Sequence, residues 1–306
     1  MRKGERGVSE RALTRKSGKF SITPYLFILP HVILFIVFFL YPLCYGTYAS
    51  FTKWNLFNEP VWVGLENYKT ILFNKESTFY RQFWNGLGNT VEFVLLCVPF
   101  QIIIPLILAI AITQKPAGHR LFQSIFYLPN MFSITAVTLT WLFIFNRSLG
   151  LWNHLLGMDV NWYGEQPYAW ICLVIITLWW CIGTNLIIYI AAINGVDQSM
   201  LEAAEIDGAT KFQRFIYVII PSIKFPLTYT LVASVIQQFN IYGQPLIVTG
   251  GGPKESTFVL LMYIRNLAFG TGNPIAGTSS AMATCLGLVI GIVSVIQLTL
   301  LRKQNT

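Results

Sequence analysis

Few side chains in this 306-residue chain are spaced for bond chemistry. Its three histidines, His31, His119 and His154, are scattered, and no H-E-x-x-H pair occurs. Glu92, at the edge of an apolar segment, has no second carboxylate near it in that segment. A zinc hydrolase set and a general acid–base pair are therefore both missing. The five cysteines, Cys44, Cys97, Cys172, Cys181 and Cys285, all fall in apolar segments, which fits neither a disulfide framework nor a metal site. Thr249-Gly250-Gly251-Gly252-Pro253-Lys254 has the glycines of a phosphate cradle without the G-x-x-x-x-G-K-[ST] order, so ATP binding through such a loop is not expected. Together these features weigh against a membrane enzyme.

The chemistry that remains is hydrogen bonding. One apolar segment carries Trp179, Trp180, Cys181, Thr184, Asn185 and Tyr189, and another carries Ser234, Gln237, Gln238, Asn240 and Tyr242. Amides at membrane depth are costly unless they are paired or face a cavity. Such groups either tie helices together or meet a polar solute, and the sequence leaves both readings open.

A second polar feature interrupts the greasy second half of the chain. Glu202-Ala203-Ala204-Glu205-Ile206-Asp207-Gly208-Ala209, continued to Pro221, reads as two short helices in tandem. Asp197 or Ser199 can cap the first, and Ser199 with Glu202 has the S-x-x-E capping-box spacing. Gly208 is a stop signal, Thr210 a second cap, and Phe212, Phe215, Ile216 and Ile219 recur at helical spacing.

The elements that position these groups follow from composition. The chain is 54% hydrophobic and 11% charged, against about 25% charged in a soluble domain. Six apolar segments stand out: Tyr25 to Gly46, Val91 to Ile112, Leu121 to Phe145, Tyr168 to Ala192, Ile223 to Val248, and Ala281 to Leu301. Each has about the 20 residues a helix needs to cross a bilayer. The expectation is an all-α polytopic membrane protein with six transmembrane helices. It divides into a basic tail over 1–24, a membrane domain over 25–301 with the polar loop at 197–221, and a short tail over 302–306.

Charge sets the orientation. With both termini on one side, segments 1–24, 113–120, 193–225 and 302–306 hold 14 Lys and Arg, and the opposite loops hold 7. Acids split 6 and 6, apart from Glu92. The positive-inside rule places both termini and the 202–221 segment in the cytoplasm. The net charge of +8 therefore describes lipid head groups rather than nucleic acid. The first span is too long for a cleaved signal's apolar region and is expected to stay as an anchor. Pro99 and Pro105, with Gln101 between them, should bend the second span. In the third, Ser133, Thr135, Thr138 and Thr140 are expected to bond their own helix carbonyls. Aromatics in the first outer loop (Trp54, Trp62, Tyr68, Tyr80, Trp84) are expected to form an interfacial belt or a sugar-stacking surface, and the next outer loop is again aromatic (Trp152, Trp162, Tyr163).

Glu202-Ala203-Ala204, Asp207-Gly208-Ala209, Phe212, Phe215 and Ile220-Pro221 resemble the EAA loop of ATP-binding-cassette (ABC) importer permeases; Ile220 stands where that pattern has Leu. Thr249-Gly250-Gly251-Gly252-Pro253 is similar to the T-G-G-G-P signature of the maltose-type carbohydrate branch, and Trp62-Val63-Gly64-Leu65-Glu66-Asn67-Tyr68 to its W-x-G-L-x-N-Y stretch. Gly88-Asn89-Thr90 fits as well. The resemblance runs from about residue 22 to 301 and implies a type I importer permease fold in the bacterial cell (inner) membrane. It implies as partners a second homologous permease, a pair of cytoplasmic ATPases using ATP and Mg, and an extracellular or periplasmic binding protein that delivers a sugar. This chain itself would bind no cofactor. The loop would be the coupling helix, its contacts carried by Glu202, Ala203, Ala204, Asp207, Gly208, Ala209, Phe215 and Pro221. The same resemblance points to Trp180, Cys181 and Thr184, and to Ser234, Gln237, Gln238 and Ile241, as a sugar pocket near mid-membrane. The rival expectation is an ion-coupled secondary carrier, which needs ionisable groups along the path. Only Glu92 and Lys224, both at span edges, answer that need.

Overall fold

Apolar runs with few interior breakers give long helices, and the computed structural model, which describes residues 23–270, 272 and 274–303, is mostly helical. The basic tail lies outside the described residues as far as residue 22, as do Thr271, Asn273 and the last three residues. The chain divides after Gly46 into two units. The first, from Thr23, comprises α1 (Thr23–Phe35), a wide π-type turn over Ile36–Leu40, and the start of α2 (Tyr41–Ser50).

The second unit holds the remaining elements. A short antiparallel ribbon pairs Thr52 with Trp62 (β1, Thr52–Lys53; β2, Val61–Trp62). Helices α3 (Glu66–Leu72) and α4 (Thr78–Thr113) follow, the latter capped by Ser77 and continuous through Pro99 and Pro105. Next come α5 (His119–Tyr127), a 3-10 turn over Leu128–Met131, α6 (Ile134–Ile144), α7 (Leu151–Leu156) and α8 (Tyr168–Asn194). The polar loop supplies α9 (Gln198–Ile206), α10 (Lys211–Arg214), a second wide turn over Phe215–Ile219, and α11 (Ile220–Ser222). Helices α12 (Lys224–Phe239), α13 (Gly243–Val248), α14 (Leu260–Phe269) and α15 (Ala276–Lys303) complete the unit.

Among the described residues four helices are long and apolar enough to cross a membrane, and the number is six when each of two bent pairs is counted as one span. The bends correct two expected spans. The run from Leu121 to Phe145 is not one rod, because its halves meet at 104°. Pro129 cannot donate a helix hydrogen bond, and Ser133 Oγ caps the new helix by accepting from the amide of Ala136 at 3.3 Å. The run from Ile223 to Val248 stops at Phe239 and restarts at Gly243, with Pro245 in the first turn, where a missing N–H does no harm. Ahead of it the chain also turns by 71° between Ser222 and Lys224.

Buried apolar side chains among the described residues gather in three clusters. One joins α4, α12, α14 and α15 through Phe83, Val94, Val235, Leu260 and Met282. Another lies where the ends of α4 and α8 meet the polar loop, around Ala109, Leu186, Tyr189 and Ile223. The third is aromatic, joining Trp141, Phe145, Trp162 and Trp170 at the opposite end. There the Trp162 indole donates to Asn153 Oδ1 at 2.8 Å, and Asn153 Nδ2 donates to the carbonyls of Arg147 and Val160. The aromatic loop after α6 is thus a folded cap. Arg147 clamps its rim, holding the exposed carboxyl of Asp159 below the usual carboxylate range through hydrogen bonds at 2.7 and 2.8 Å.

The glycine loop is structural as well. Gly251 has φ +89°, and a Cβ there would lie 2.2 Å from the Phe258 ring, so two constraints demand glycine. Asn89 Nδ2 donates to the carbonyls of Glu255 and Phe258 at 2.8 and 3.1 Å, and Thr90 Oγ1 accepts from the amide of Leu260. Two motifs about 160 residues apart are therefore one knot. Asn89→Leu should leave the Phe258 carbonyl without its donor, while the Glu255 carbonyl keeps Asn85 Nδ2 and the Phe258 amide, and cost about 1–3 kcal/mol. A lowered thermal midpoint with new proteolytic cleavage at residues 250–258 is expected; an unchanged midpoint would show that the loop holds without this side chain.

Candidate functional site

The polar loop is built from local signals that agree. Asp197 starts α9, accepting at its carboxylate from the amide of Ser199 at 2.9 Å. Ser199 therefore lies inside the helix, and the Ser199–Glu202 capping box does not form. The backbone amide of Ser199 holds the Asp197 carboxyl below the usual carboxylate range. That lowered value means the cap strengthens folding at neutral pH and fades as pH falls through it.

Helix α9 ends as a Schellman turn. The amide of Gly208 donates to Glu205 O at 3.0 Å and that of Ala209 to Ala204 O at 2.9 Å. Gly208 has φ +81°, with open space where a Cβ would stand, so backbone conformation rather than crowding calls for glycine. Thr210 and Gln213 form a reciprocal capping box. Arg214 bridges back to Glu205, pinning α10 against α9.

Glu202, Ala203, Asp207, Gly208 and Pro221 are exposed, and Ala204, Ala209 and Phe215 are half-buried. Ile206 and Phe212 are 87% and 72% exposed, and Met200 and Tyr217 add to the large apolar groups on the outer side of the knob. The inner side of the loop packs Leu201, Val218 and Ile219 on the ends of α4 and α8. A cleft of about 510 Å³ remains between them, lined by Gln114, Asn194, Glu202, Lys211 and Arg214 among others.

The second cluster lies deeper. Gln101 is 12 residues before the end of α4, about 18 Å along the axis, near the middle of a bilayer roughly 30 Å thick. Because Pro105 has no N–H, the Gln101 carbonyl loses its intrahelical donor. Asn185 of α8 replaces it, donating from Nδ2 at 2.9 Å, and also donates to Ser234 Oγ of α12 at 3.2 Å. Gln238 Nε2 donates to Gln101 Oε1 at 2.9 Å, and Gln101 Nε2 donates to Gln237 Oε1 at 3.3 Å. Gln237 Nε2 reaches Cys181 Sγ at 3.5 Å.

The two unwound segments border this cluster. Trp180 Nε1 donates to the carbonyl of Phe132, at the first break, at 3.1 Å. Asn130 Nδ2 donates to Thr184 Oγ1 at 3.1 Å. Backbone open at membrane depth is tolerated where it is buried in protein or lines a cavity.

The seven pocket residues expected from sequence thus separate by exposure. Thr184 and Gln237 are exposed and Trp180 half-buried, whereas Cys181, Ser234, Gln238 and Ile241 are buried within this chain. Glu92 is exposed on α4. Two members were not singled out from sequence as site residues. Asn130 follows the proline that ends a helix, and Gln101 stands four residues before one; each position announces an open backbone.

A family model described as the binding-protein-dependent transport system inner membrane component matches residues 71–305. A probable starch degradation products transport system permease protein of Thermoanaerobacterium thermosulfurigenes is 32% identical over 92% of this chain and 94% of its own. A multiple sugar-binding transport system permease protein of Streptococcus mutans is 29% identical over 90% and 94%. Among solved structures, a chain of a bacterial alginate ABC transporter, in complex with an alginate pentasaccharide-bound periplasmic protein, superposes with a TM-score of 0.73 at 22% identity. It covers 91% of this chain and 92% of that one, a likeness of fold.

The proline-freed carbonyl makes a direct test. Asn185→Leu should destabilise the protein by about 1–3 kcal/mol, the cost of an unpaired buried carbonyl. Adding Pro105→Ala supplies the missing helix N–H and should recover part of the loss. Thermal unfolding of both variants in detergent reads the difference, and equal midpoints would refute the pairing.

Proposed function

This chain belongs to the binding-protein-dependent transport system inner membrane components, and on that premise we propose that it forms half of the translocation path of an ABC importer for a sugar or oligosaccharide. The sugar class rests on the printed activities of the relatives, starch degradation products and multiple sugars among them. Its partners in this reading are a second homologous permease, two cytoplasmic ATPases and an extracellular or periplasmic sugar-binding protein. The alginate transporter's complex with a periplasmic protein supports the last of these. ATP and Mg belong to the ATPases, and this chain breaks no bond and holds no cofactor. The basic excess around 1–24, 113–120, 193–225 and 302–306 supports a bacterial cell membrane protein with both termini and the polar loop in the cytoplasm.

The observation that carries the reading is the two-helix knob at 197–221. Its caps, Schellman turn and Arg214–Glu205 bridge make it rigid, and its inner face is bonded by packing to α4 and α8. Exposed Ile206 and Phe212 need a cover that an ATPase surface cleft provides. Motion of the ATPases then reaches the spans as rigid-body motion of the knob. Glu202, exposed beside Ala203, is suited to a basic residue on the ATPase, and the two alanines allow close approach.

At mid-membrane, Trp180 offers an aromatic face for a sugar's C–H surface, and Thr184, Gln237 and Asn130 offer hydrogen-bond donors and acceptors. Cys181, Ser234, Gln238 and Ile241 stand behind this face and hold it in place.

Glu202→Lys and Gly208→Trp should each reduce uptake by at least about tenfold, the scale of a lost buried charge contact or strained turn. Sugar capture by the binding protein should stay intact. The measurement is uptake together with ATP hydrolysis in vesicles. Full coupling in both variants would remove the knob from the mechanism.

A further inference from the structure

Resting on the reading that Gln237 faces the solute path, we propose that Gln101 is a positioning residue. Its side-chain amide fixes which way the Gln237 amide points, without touching the solute. Gln101 is 2% exposed and cannot meet a solute, whereas Gln237 on the neighbouring helix is exposed. A glutamine amide turned by half a circle keeps its shape and exchanges donor for acceptor. Left alone, Gln237 would offer a solute hydroxyl either end.

The amides form a chain with one direction. Gln238 Nε2 donates to Gln101 Oε1 at 2.9 Å, so Gln101 must present its NH2 on the other side. There it donates to Gln237 Oε1 at 3.3 Å. A reversed Gln237 would oppose two NH2 groups at that point. Its Nε2 is thereby turned toward Cys181, whose sulfur at 3.5 Å is a weak acceptor.

The two ends of Gln237 are therefore unequal. The oxygen has a firm amide donor, while the nitrogen has a partner that an oxygen acceptor readily replaces. Gln237 thus binds the solute as a donor, and a hydroxyl or ring oxygen on the solute takes the place of the thiol. The Gln101 backbone keeps this geometry at constant depth through Asn185, so the orienting amide and the helix contact come from one residue.

The test is uptake by the complete transporter in vesicles with a binding protein. The probes are maltotriose, lactose, an arabino-oligosaccharide and glycerol 3-phosphate, using whichever the unmodified complex transports. Gln237→Leu, Gln101→Leu and the double variant are compared for KM and maximal rate. Gln101→Leu should raise KM by about three- to tenfold, the scale of one or two hydrogen bonds, with maximal rate within about twofold. The double variant should have the KM of Gln237→Leu alone, because Gln101 acts only through that amide.

Multiplying effects in the double variant, or a loss confined to maximal rate, would overturn the proposal. An unchanged KM in Gln101→Leu beside a raised KM in Gln237→Leu would overturn it while leaving the solute-facing assignment standing. An unchanged KM in Gln237→Leu would remove that assignment and the proposal with it. If Gln101→Leu does not assemble, Gln101→Asn keeps an amide but withdraws it by one methylene, and the same rise in KM is required of it.

Discussion

Pro105 deprives the Gln101 carbonyl of its helix donor, and the Asn185 amide 2.9 Å away restores the bond from another helix. In water the loss would be made good by solvent. At membrane depth an unpaired backbone group costs several kcal/mol, so the replacement is obligatory. That obligation fixes α4 against α8 at one level, and the second Asn185 bond, to Ser234, fixes α12 there too. Residues counted from the loop-side ends agree: Gln101 lies 12 from Thr113, Asn185 lies 9 from Asn194, and Ser234 lies 10 from Lys224. The amides around Gln101 are ordered because their backbones are already in register.

The same three helices meet the polar loop, which connects the deep cluster to the knob. Val196 and Ile223, on either side of the loop, are buried with Leu186, Tyr189 and Ile190, and Tyr189 shares a hydrogen bond with Thr230 at 2.6 Å. The knob packs directly on the ends of α4 and α8, and it reaches α12 through the 71° bend at Ser222–Lys224. The bends lie at Leu128–Ser133, at Ser222–Lys224 and at Asn240–Tyr242, the last bordering the amides rather than the loop.

Local chemistry was readable from the residues; contacts between distant segments were not. Gly208 as a stop and Thr210 as a cap are properties of a few neighbours, and both stand as the pattern requires. Ser199 illustrates the limit even there, since Asp197 two positions earlier takes the cap and leaves Ser199 within the helix. The spans at 121–145 and 223–248 read as unbroken because hydropathy counts side chains and ignores the backbone. Pro129 and Gly243 with Pro245 carried the breaks. Gln238 and Gln237 are adjacent in sequence, yet one is buried and the other exposed. Which of them faces inward depends on where Gln101 stands, 137 residues from Gln238 along the chain. The T-G-G-G-P stretch likewise makes sense only beside Asn89 and Thr90.

The wide turn at Phe215–Ile219 has a bearing on how this chain changes over time. A π-type turn holds one residue more than the α-helical turn it replaces, the mark of a single insertion absorbed without breaking the helix. Each residue of an α-helix advances its phase by about 100°. Removing one residue inside the wide turn would let it close to an ordinary α-helical turn, whereas removing one from the flanking α-helical turns would swing the knob by about 100° and face Ile206 and Phe212 in a new direction. Substitutions leave that phase unchanged; a change in the length of the flanking α-helical turns does not. The spacing between Thr210 and Pro221, with its one spare residue in the wide turn, thus sets which way Ile206 and Phe212 face, whatever letters fill it.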